Sequence, residues 1–189
     1  MPRSLFTIGK LPEISVDVVY IDPVKSKKAA KLINDMPDIE IRAYKKACTN
    51  FGKMLSRYIR KCISTHTPPN GVNWEPLSPD YIKNYDTKGF WELSGQMLRS
   101  IRLRQYQTSY YVGPAPEEKA IDPVNRYGRA RASKLTLIQL ARILENPGPN
   151  SEYLVARPLF KPSFKAVGGT SRLKKYLIAN LRRELKPYL

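Results

Sequence analysis

Few residues in this sequence have the types and spacing that catalysis or metal binding requires. His66 is the only histidine, which removes most Ser–His and Cys–His nucleophile arrangements and histidine-rich metal sites at once. It lies in a Thr- and Pro-rich stretch, and we interpret it as an ordinary loop residue. Cys48 and Cys62 fall on one predicted helix, about 21 Å apart at ~1.5 Å per residue, so they cannot form a disulfide. Both lie on its apolar face, where cysteine behaves as a small hydrophobic residue.

The acidic residues and the glycines also form no catalytic pattern. The close acidic groupings are Glu117 with Glu118 and Asp35 with Asp38, and the sequence implies no basic or apolar pocket near either pair. The stretch VGGTSR lacks the Gly-x-x-x-x-Gly-Lys-Ser/Thr spacing of a phosphate-binding loop. We expect the glycines at 168–169 to form a turn, with Thr170 or Ser171 capping the next helix. We therefore assign no catalytic, cofactor-binding or metal-binding residue and predict that the protein is not an enzyme.

Charge is the feature that points to a partner. The chain has 33 Lys and Arg against 16 Asp and Glu, a net charge of +17. Solubility alone requires a charge magnitude of only about 2 to 8 in a small domain. The excess predicts a polyanion or an acidic protein surface as partner, because repulsion among like charges opposes compaction unless counter-charge is near. The alternative is a soluble surface that is simply basic.

Length and hydropathy limit the organisation of the chain. The 189 residues fit one domain with an appended arm, or at most two small domains. We place an N-terminal arm or extension at 1–36 and an α+β core domain at 37–189. No stretch approaches the roughly 20 apolar residues that span a bilayer, and the start of the chain lacks the apolar run of a signal peptide. We expect no membrane partner, and a protein made and used in a cytoplasm.

The longest periodic segment, from Pro37 to about Ser64, predicts an amphipathic helix. Acidic residues at 38 and 40 would occupy its first turn, near the positive end of the helix dipole. The predicted core face consists of Ile41, Tyr44, Cys48, Phe51, Leu55, Tyr58, Ile59 and Cys62. The opposite face carries Arg42, Lys45, Lys46, Lys53, Arg57, Arg60 and Lys61. No acidic residue interrupts this basic stripe, which is either a solvated face or a contact surface for DNA or an acidic protein.

The remaining segments predict a mixture of strands and helices. Alternating apolar residues over 14–21 indicate a strand, and 25–36 a short basic helix or linker that stops at Pro37. An irregular loop over 65–88 precedes a short helix that Ser94 caps and that runs to Ile101. Two strands, IRLRQYQ and YYVGP, follow as a hairpin joined at residues 108–109.

The last third of the chain adds a basic loop and two further helices. The polar segment 115–133 predicts a loop whose basic residues, with Lys134 just after it, are Arg126, Arg129, Arg131 and Lys134. A buried helix follows from about 135 to 145, then the strand-like YLVARPLF, then a C-terminal helix with leucines at 173, 177, 181 and 185. The order predicts an α+β fold: a small antiparallel sheet with a long amphipathic helix packed on it, an additional buried helix and a C-terminal helix.

Tyrosines in the predicted hairpin raise a nucleic-acid hypothesis. Tyr106, Tyr110 and Tyr111 are flanked by Arg102 and Arg104, an arrangement that would suit a platform on which bases stack. No zinc-finger, RNA-recognition or helix-turn-helix signature is present, so sequence-specific readout is not predicted. Together with the net charge, this pattern makes a non-specific nucleic-acid-binding accessory protein the alternative function.

Three segments between Trp74 and Phe164, close to half of the chain, carry a family resemblance. They are WEPLSPDYIKNY, then LSGQMLRSIRL with YYVGP, then LARILENPG with VARPLFKPSF. In this order they resemble the virion-morphogenesis and tail-completion proteins of tailed bacteriophages, a group that includes head–tail joining and neck proteins. The chain departs from the group at 145–148, where the group often has His and an aromatic residue before the glycine. Residues 1–36 have no counterpart.

The resemblance implies a structural protein of the virion neck or tail region, assembled in the host cytoplasm. It implies a subunit of a homo-oligomeric ring around the DNA channel, between the portal or head-closure ring and the tail terminator or tail tube. Such rings work by presenting complementary surfaces and have no turnover chemistry. The basic stripe and the basic loop are then the expected contacts with acidic neighbouring rings or, non-specifically, with genomic DNA.

Overall fold

Helices and two short antiparallel sheets make up the protein in this computed structural model. It describes residues 23–79, 82–83, 95–107, 109–121, 132–146 and 156–188. The elements are α1 Pro23–Ser64, α2 Gln96–Ser100, β1 Arg102–Tyr106, β2 Ser109–Gly113, β3 Lys119–Ile121, β4 Ala132–Thr136, α3 Leu137–Glu145, α4 Phe160–Ala166, α5 Gly169–Leu185 and a final 3₁₀ turn Lys186–Tyr188. β1 pairs with β2, and β3 with β4. The predicted α+β class, with a long helix packed on a small antiparallel sheet, is confirmed. The strand predicted over 14–21 lies outside the described residues.

α1 is a single helix of 42 residues that passes through Pro37. The prediction that helical structure stops at Pro37 and restarts with acidic residues in a new first turn is therefore wrong. Proline lacks an N–H, so the carbonyl of Ile33 loses its helical partner. Ile33 and Pro37 are both exposed, so water can replace the missing hydrogen bond. The boundary predicted between residues 36 and 37 falls inside this helix.

The core forms where α1 meets the first hairpin and the C-terminal helices. Phe51 is fully buried, and its ring meets Phe164 of α4 edge to face with centroids 5.5 Å apart. The largest cluster also contains Leu55, Ile59, Cys62, Ile63, Trp74, Met97, Ile101, Val112, Leu137, Leu159 and Phe160. Most of the predicted core face of α1 is confirmed by this packing.

Ile41 is the exception on that face, because its side chain is 43% exposed. In its place Ile39, Ala43 and Ala47 are fully buried. α1 packs against α5, the first hairpin and α4. The buried side of this half of α1 is therefore lined by Ile39, Ala43 and Ala47 and not by Ile41.

The first hairpin is confirmed with a one-residue correction. Tyr106 pairs with Ser109, so Ser109 belongs to β2 and not to the turn. The hairpin lies directly on α1 at Gly52, where an added Cβ would overlap the side chain of Leu103. A glycine at this helix position therefore allows the close approach of helix and sheet.

A second hairpin replaces part of the loop predicted over 115–133. β3 and β4 pair between residues 119–121 and 132–136. β3 has only three residues, too few for an alternating pattern to be recognised. Thr136 then caps α3 in a reciprocal capping box: the Gln139 N–H donates to its Oγ1 at 3.3 Å, and the Thr136 N–H donates to Gln139 Oε1 at 2.8 Å. The predicted helix and its end at Asn146 are confirmed, but Leu135 belongs to β4 and the buried residues of the helix are Leu137, Ile138 and Ala141.

The predicted strand YLVARPLF and two predicted helix caps need correction. Residues 156–159 belong to no strand in the described structure, and Phe160 begins helix α4. The turn at Gly168 and Gly169 is confirmed, with φ angles of 96° and 51°. Gly168 itself holds the cap position of α5, without a side-chain cap from Thr170 or Ser171. Gly95, at φ 64°, similarly takes the position predicted for Ser94 in α2.

Candidate polyanion-binding surface

The positive charge of the protein is concentrated on α1 and on the C-terminal helices. Residues 41–64 contain seven Lys or Arg and no acidic residue, and 160–188 contain eight with a single glutamate. All six predicted contact residues on α1 are exposed: Arg42, Lys45, Lys46, Lys53, Arg57 and Arg60. From Arg42 to Arg60 the row is about 27 Å long at ~1.5 Å per residue. The basic stripe predicted on α1 is therefore a surface feature of the folded chain.

α5 lies antiparallel along α1 and adds a second set of cations. Three contacts give the register: Tyr176 with Met54, Glu184 with Arg42, and Tyr188 with Asp35. The exposed cations that α5 and the following turn contribute are Arg172, Lys174, Lys175, Arg182, Arg183 and Lys186. These residues were not assigned to a contact surface from the sequence, although the leucine pattern of the helix, with basic residues on its other sides, could have indicated one.

Glu184 neutralises one end of the α1 stripe. Arg42 Nε donates to one of its carboxylate oxygens at 3.0 Å, and Lys46 Nζ donates to the other. The Glu184 side chain is 14% exposed, whereas Arg42 and Lys46 are 50% and 60% exposed. Hydrogen bonds from Lys46 and then Arg42 hold the pKa of Glu184 below its ordinary value. Two of the predicted contact residues are thus already paired within the chain.

A groove between α1 and α5 contains two further residues of the stripe, Lys53 and Arg57. Its lining residues are Asn50, Lys53, Met54, Arg57 and Tyr176, and its volume is about 470 Å³. The Tyr176 hydroxyl donates to Met54 Sδ at 3.8 Å, which places the phenol ring at the groove wall. Within the part of the chain that the structure describes, neither Lys53 nor Arg57 has an ion-pair partner. The groove is therefore lined by two cations without an ion-pair partner among the described residues, beside an amide and a phenol.

The basic loop predicted near residue 130 is not part of this description. Arg126, Arg129 and Arg131 lie outside the described residues. Lys134 belongs to β4, of which only the backbone is described at that position. The assignment of these four residues to a contact surface stays a prediction.

The hairpin tyrosines do not form the stacking platform considered above. Tyr110 and Tyr111 are only 3% and 4% exposed, and Tyr110 meets the Tyr44 ring edge to face at 6.2 Å. Burial raises the pKa of Tyr111 to about 12 and raises that of Tyr44 as well. Arg104 is also committed, because it donates to the carbonyls of Gly113 and Ser100. Of the three tyrosines, only Tyr106 has substantial exposure.

Glu145, one of the residues that departs from the family pattern, joins two elements. Its carboxylate accepts the backbone N–H groups of Leu159, Phe160 and Lys161 at 2.7, 3.0 and 3.2 Å. These N–H groups are at the start of α4 and have no partner within that helix. Glu145 therefore fixes the end of α3 against the start of α4, a role that sequence reasoning did not assign to it.

The cysteines and acidic residues of the described segments form no metal-binding group. Cys48 and Cys62 are buried free thiols, as predicted, and burial raises the pKa of each. Those segments contain no group of three His, Cys, Asp or Glu placed to hold a metal, and none of their helices is long and apolar enough to cross a membrane. The chain matches no protein-family model, curated protein or solved structure at a significant level. The α1–α5 surface is thus the feature on which a function can be argued.

Proposed function

We propose that this chain is a structural protein of a tailed-phage virion, a neck or tail-completion subunit that joins the tail to the head. In this role it forms a homo-oligomeric ring around the DNA channel and contacts the portal or head-closure ring on one side and the tail terminator or tail tube on the other. It acts by surface complementarity and not by turnover. The observation that carries the proposal is the concentration of positive charge on two packed helices beside an α+β core, where Glu184 is the single acidic residue within 41–64 and 160–188.

The packing of the family-like segments supports the proposal. The indole N–H of Trp74 donates to the carbonyl of Pro158 at 3.1 Å, which connects the first of these segments to the last. Trp74 and Ile101 belong to one core cluster with Leu159 and Phe160. Residues that carry the resemblance therefore build the core jointly, as expected if their order reflects a shared architecture. The basic surface then lies outside this core and is available to neighbouring molecules.

An assembly experiment tests the proposed function. In a phage that encodes this chain, a nonsense mutation in its gene should yield full heads and finished tails that remain separate in electron micrographs. Expression of the wild-type chain in the host should restore joined particles, which controls for polar effects on neighbouring genes. Joined, infectious virions in the absence of the chain would contradict the proposal.

The basic surface also favours a second candidate, a non-specific nucleic-acid-binding accessory protein. The groove with Lys53 and Arg57 supports it, whereas the buried hairpin tyrosines no longer do. The two candidate functions predict different locations for the protein. Mass spectrometry of purified virions should detect a neck subunit in each particle, whereas an accessory protein would be bound to intracellular DNA and absent from virions.

A further inference from the structure

We infer that the groove between α1 and α5 binds the sugar-phosphate backbone of duplex DNA, with Lys53 and Arg57 as its principal phosphate contacts. This inference deepens the proposed function by naming the partner of one surface. It rests on the proposed function only for where and when the protein contacts DNA, because DNA binding itself is a property of the folded chain.

The lining of the groove has the composition of a phosphate site. Lysine, arginine, asparagine and tyrosine are all among the side chains that donate to phosphate oxygens in protein–DNA complexes. Lys53 and Arg57 are one helical turn apart, so their charged groups lie on the same side of α1. Asn50 is at the same groove and supplies amide donors, and the Tyr176 hydroxyl can donate to a phosphate if it gives up its 3.8 Å hydrogen bond to Met54 Sδ.

Cations on α5 extend the site along its other wall. Arg172 and Arg183 are four residues before and seven residues after Tyr176, on its side of the helix; Arg172 lies beyond the groove, and Arg183 lies next to the paired Glu184. Both are exposed. The groove is therefore bordered by positive charge from both helices, an arrangement that suits a long, regularly charged polymer better than a single acidic side chain.

The groove offers little apolar surface, because Met54 and Tyr176 are both partly buried, and this favours a polyanion over an acidic protein as the occupant. Protein–protein interfaces have cores that are depleted of charged residues and enriched in apolar and aromatic anchors. The large hydrophobic residues found exposed in the described segments are Ile33, Ile41, Ile82, Tyr106 and Ile178. None of them lines the groove. A phosphate backbone needs no such anchor, because release of its counterions supplies most of the binding free energy.

Glu184 limits the site to one half of α1. Arg42 and Lys46 are held by its carboxylate, so phosphate contacts there would compete with an internal ion pair. Lys53 and Arg57 lie beyond that pair along the helix. The stripe predicted as one continuous contact surface thus divides into a part paired within the chain and a part open to DNA.

Fluorescence anisotropy with the purified full chain and a short mixed-sequence DNA duplex tests the inference. The double variant Lys53→Gln with Arg57→Gln should lower the slope of log Kobs against log salt by about 1.8, at ~0.9 per lost phosphate contact. The corresponding loss of affinity is on the order of tenfold to a hundredfold at ~0.1 M salt. The matched control, Arg102→Gln with Lys119→Gln, removes the same charges from exposed positions outside the groove and should leave the slope nearly unchanged.

Each other outcome overturns the inference. Equal losses in both double variants would show that only net charge matters. If the duplex does not bind at low salt but a polyglutamate peptide does, the occupant is an acidic protein. Circular dichroism checks that the variants are folded, which is expected because both groove cations are exposed and glutamine is a good helix former. The test uses no phage, so its failure is distinguishable from failure of the joining experiment.

Discussion

Replacing Glu184 with glutamine should weaken the fold slightly and strengthen DNA binding. The substitution keeps the shape of the side chain but releases Arg42 and Lys46, which are half-exposed and on the same stripe as the groove. If both then reach phosphates, the salt slope becomes steeper by up to about 1.8, at ~0.9 per contact. Duplex affinity should rise accordingly at low salt.

The stability cost should be small because the ion pairs are near the surface. Exposed pairs contribute about 0.2 to 1 kcal/mol, and the exposure of Arg42 and Lys46 favours a total of no more than ~1 kcal/mol. For a chain of this size that corresponds to a melting temperature lowered by about 2 to 4 °C. A substitution with opposite effects on stability and on binding is a sharp test, because general misfolding would reduce both.

The pH dependence of the same variant follows from the lowered pKa of Glu184. Its ordinary pKa is 4.5, so the stabilisation by the ion pairs is fully present above pH 4.5 and is lost as the pH falls through the lowered folded-state value. The difference in melting temperature between wild type and Glu184→Gln should therefore be constant near neutral pH and disappear in acid.

Salt-dependent anisotropy and thermal melting measure these effects, with Glu117→Gln as the matched control. Glu117 is exposed, and its replacement removes the same charge away from α1 and α5. An unchanged or shallower salt slope in Glu184→Gln would refute the reasoning that Glu184 withholds two cations from DNA. An equal gain in Glu117→Gln would show instead that overall charge governs binding.

Three further substitutions test the packing that positions the surface. Gly52→Ala should destabilise the protein, because overlap with Leu103 costs about 1 to 3 kcal/mol and the gain in helix propensity is only ~1 kcal/mol. In a Leu103→Ala background, where the overlap is absent, the same substitution should stabilise the protein. Denaturant unfolding measures the sign of the stability change in each background. Glu145→Gln leaves one amide oxygen to accept from three N–H donors and should lower the free energy of unfolding in urea by about 1 to 3 kcal/mol. An unchanged free energy of unfolding would show that Glu145 does not hold α3 against α4. Burial raises the pKa of Tyr111 to about 12, so the stability that its neutral phenol contributes is fully present below pH 10 and is lost as the pH rises toward 12. Between pH 8 and 11 the wild type should therefore lose ~1 kcal/mol more of its free energy of unfolding than Tyr111→Phe does, as measured by thermal melting.

Elements with strong local patterns were predictable from the sequence. In each of them the pattern of apolar residues repeats over several helical turns or several strand pairs. These elements are α1, the first hairpin, α3 and the leucine-patterned α5. Elements with short or conflicting signals were not. β3 is too short for a pattern, α4 follows a prolyl segment that resembles a strand, and the helix break expected at Pro37 depends on whether water can reach the freed carbonyl.

The candidate site shows the same division. Lys53 and Arg57 were recognised from their periodicity within one helix, and so was the absence of acidic residues along that stretch. Tyr176 and Glu184 were not, because each lies more than a hundred residues away in the chain from its contact on α1. The burial of Tyr110 and Tyr111 was likewise not predictable from the sequence, because it depends on how the hairpin packs on α1.

The sequence by itself determined that this protein is strongly basic, that it has an α+β pattern and that one helix separates a core face from a cationic face. Those properties follow from residue type and spacing within single elements, where neighbours in sequence are neighbours in space. Only the tertiary structure decided which cations are paired and which remain open, because electrostatic interaction depends on distance in space. The antiparallel packing of α5 on α1 brings one carboxylate to two of the cations and leaves the next two at an open groove.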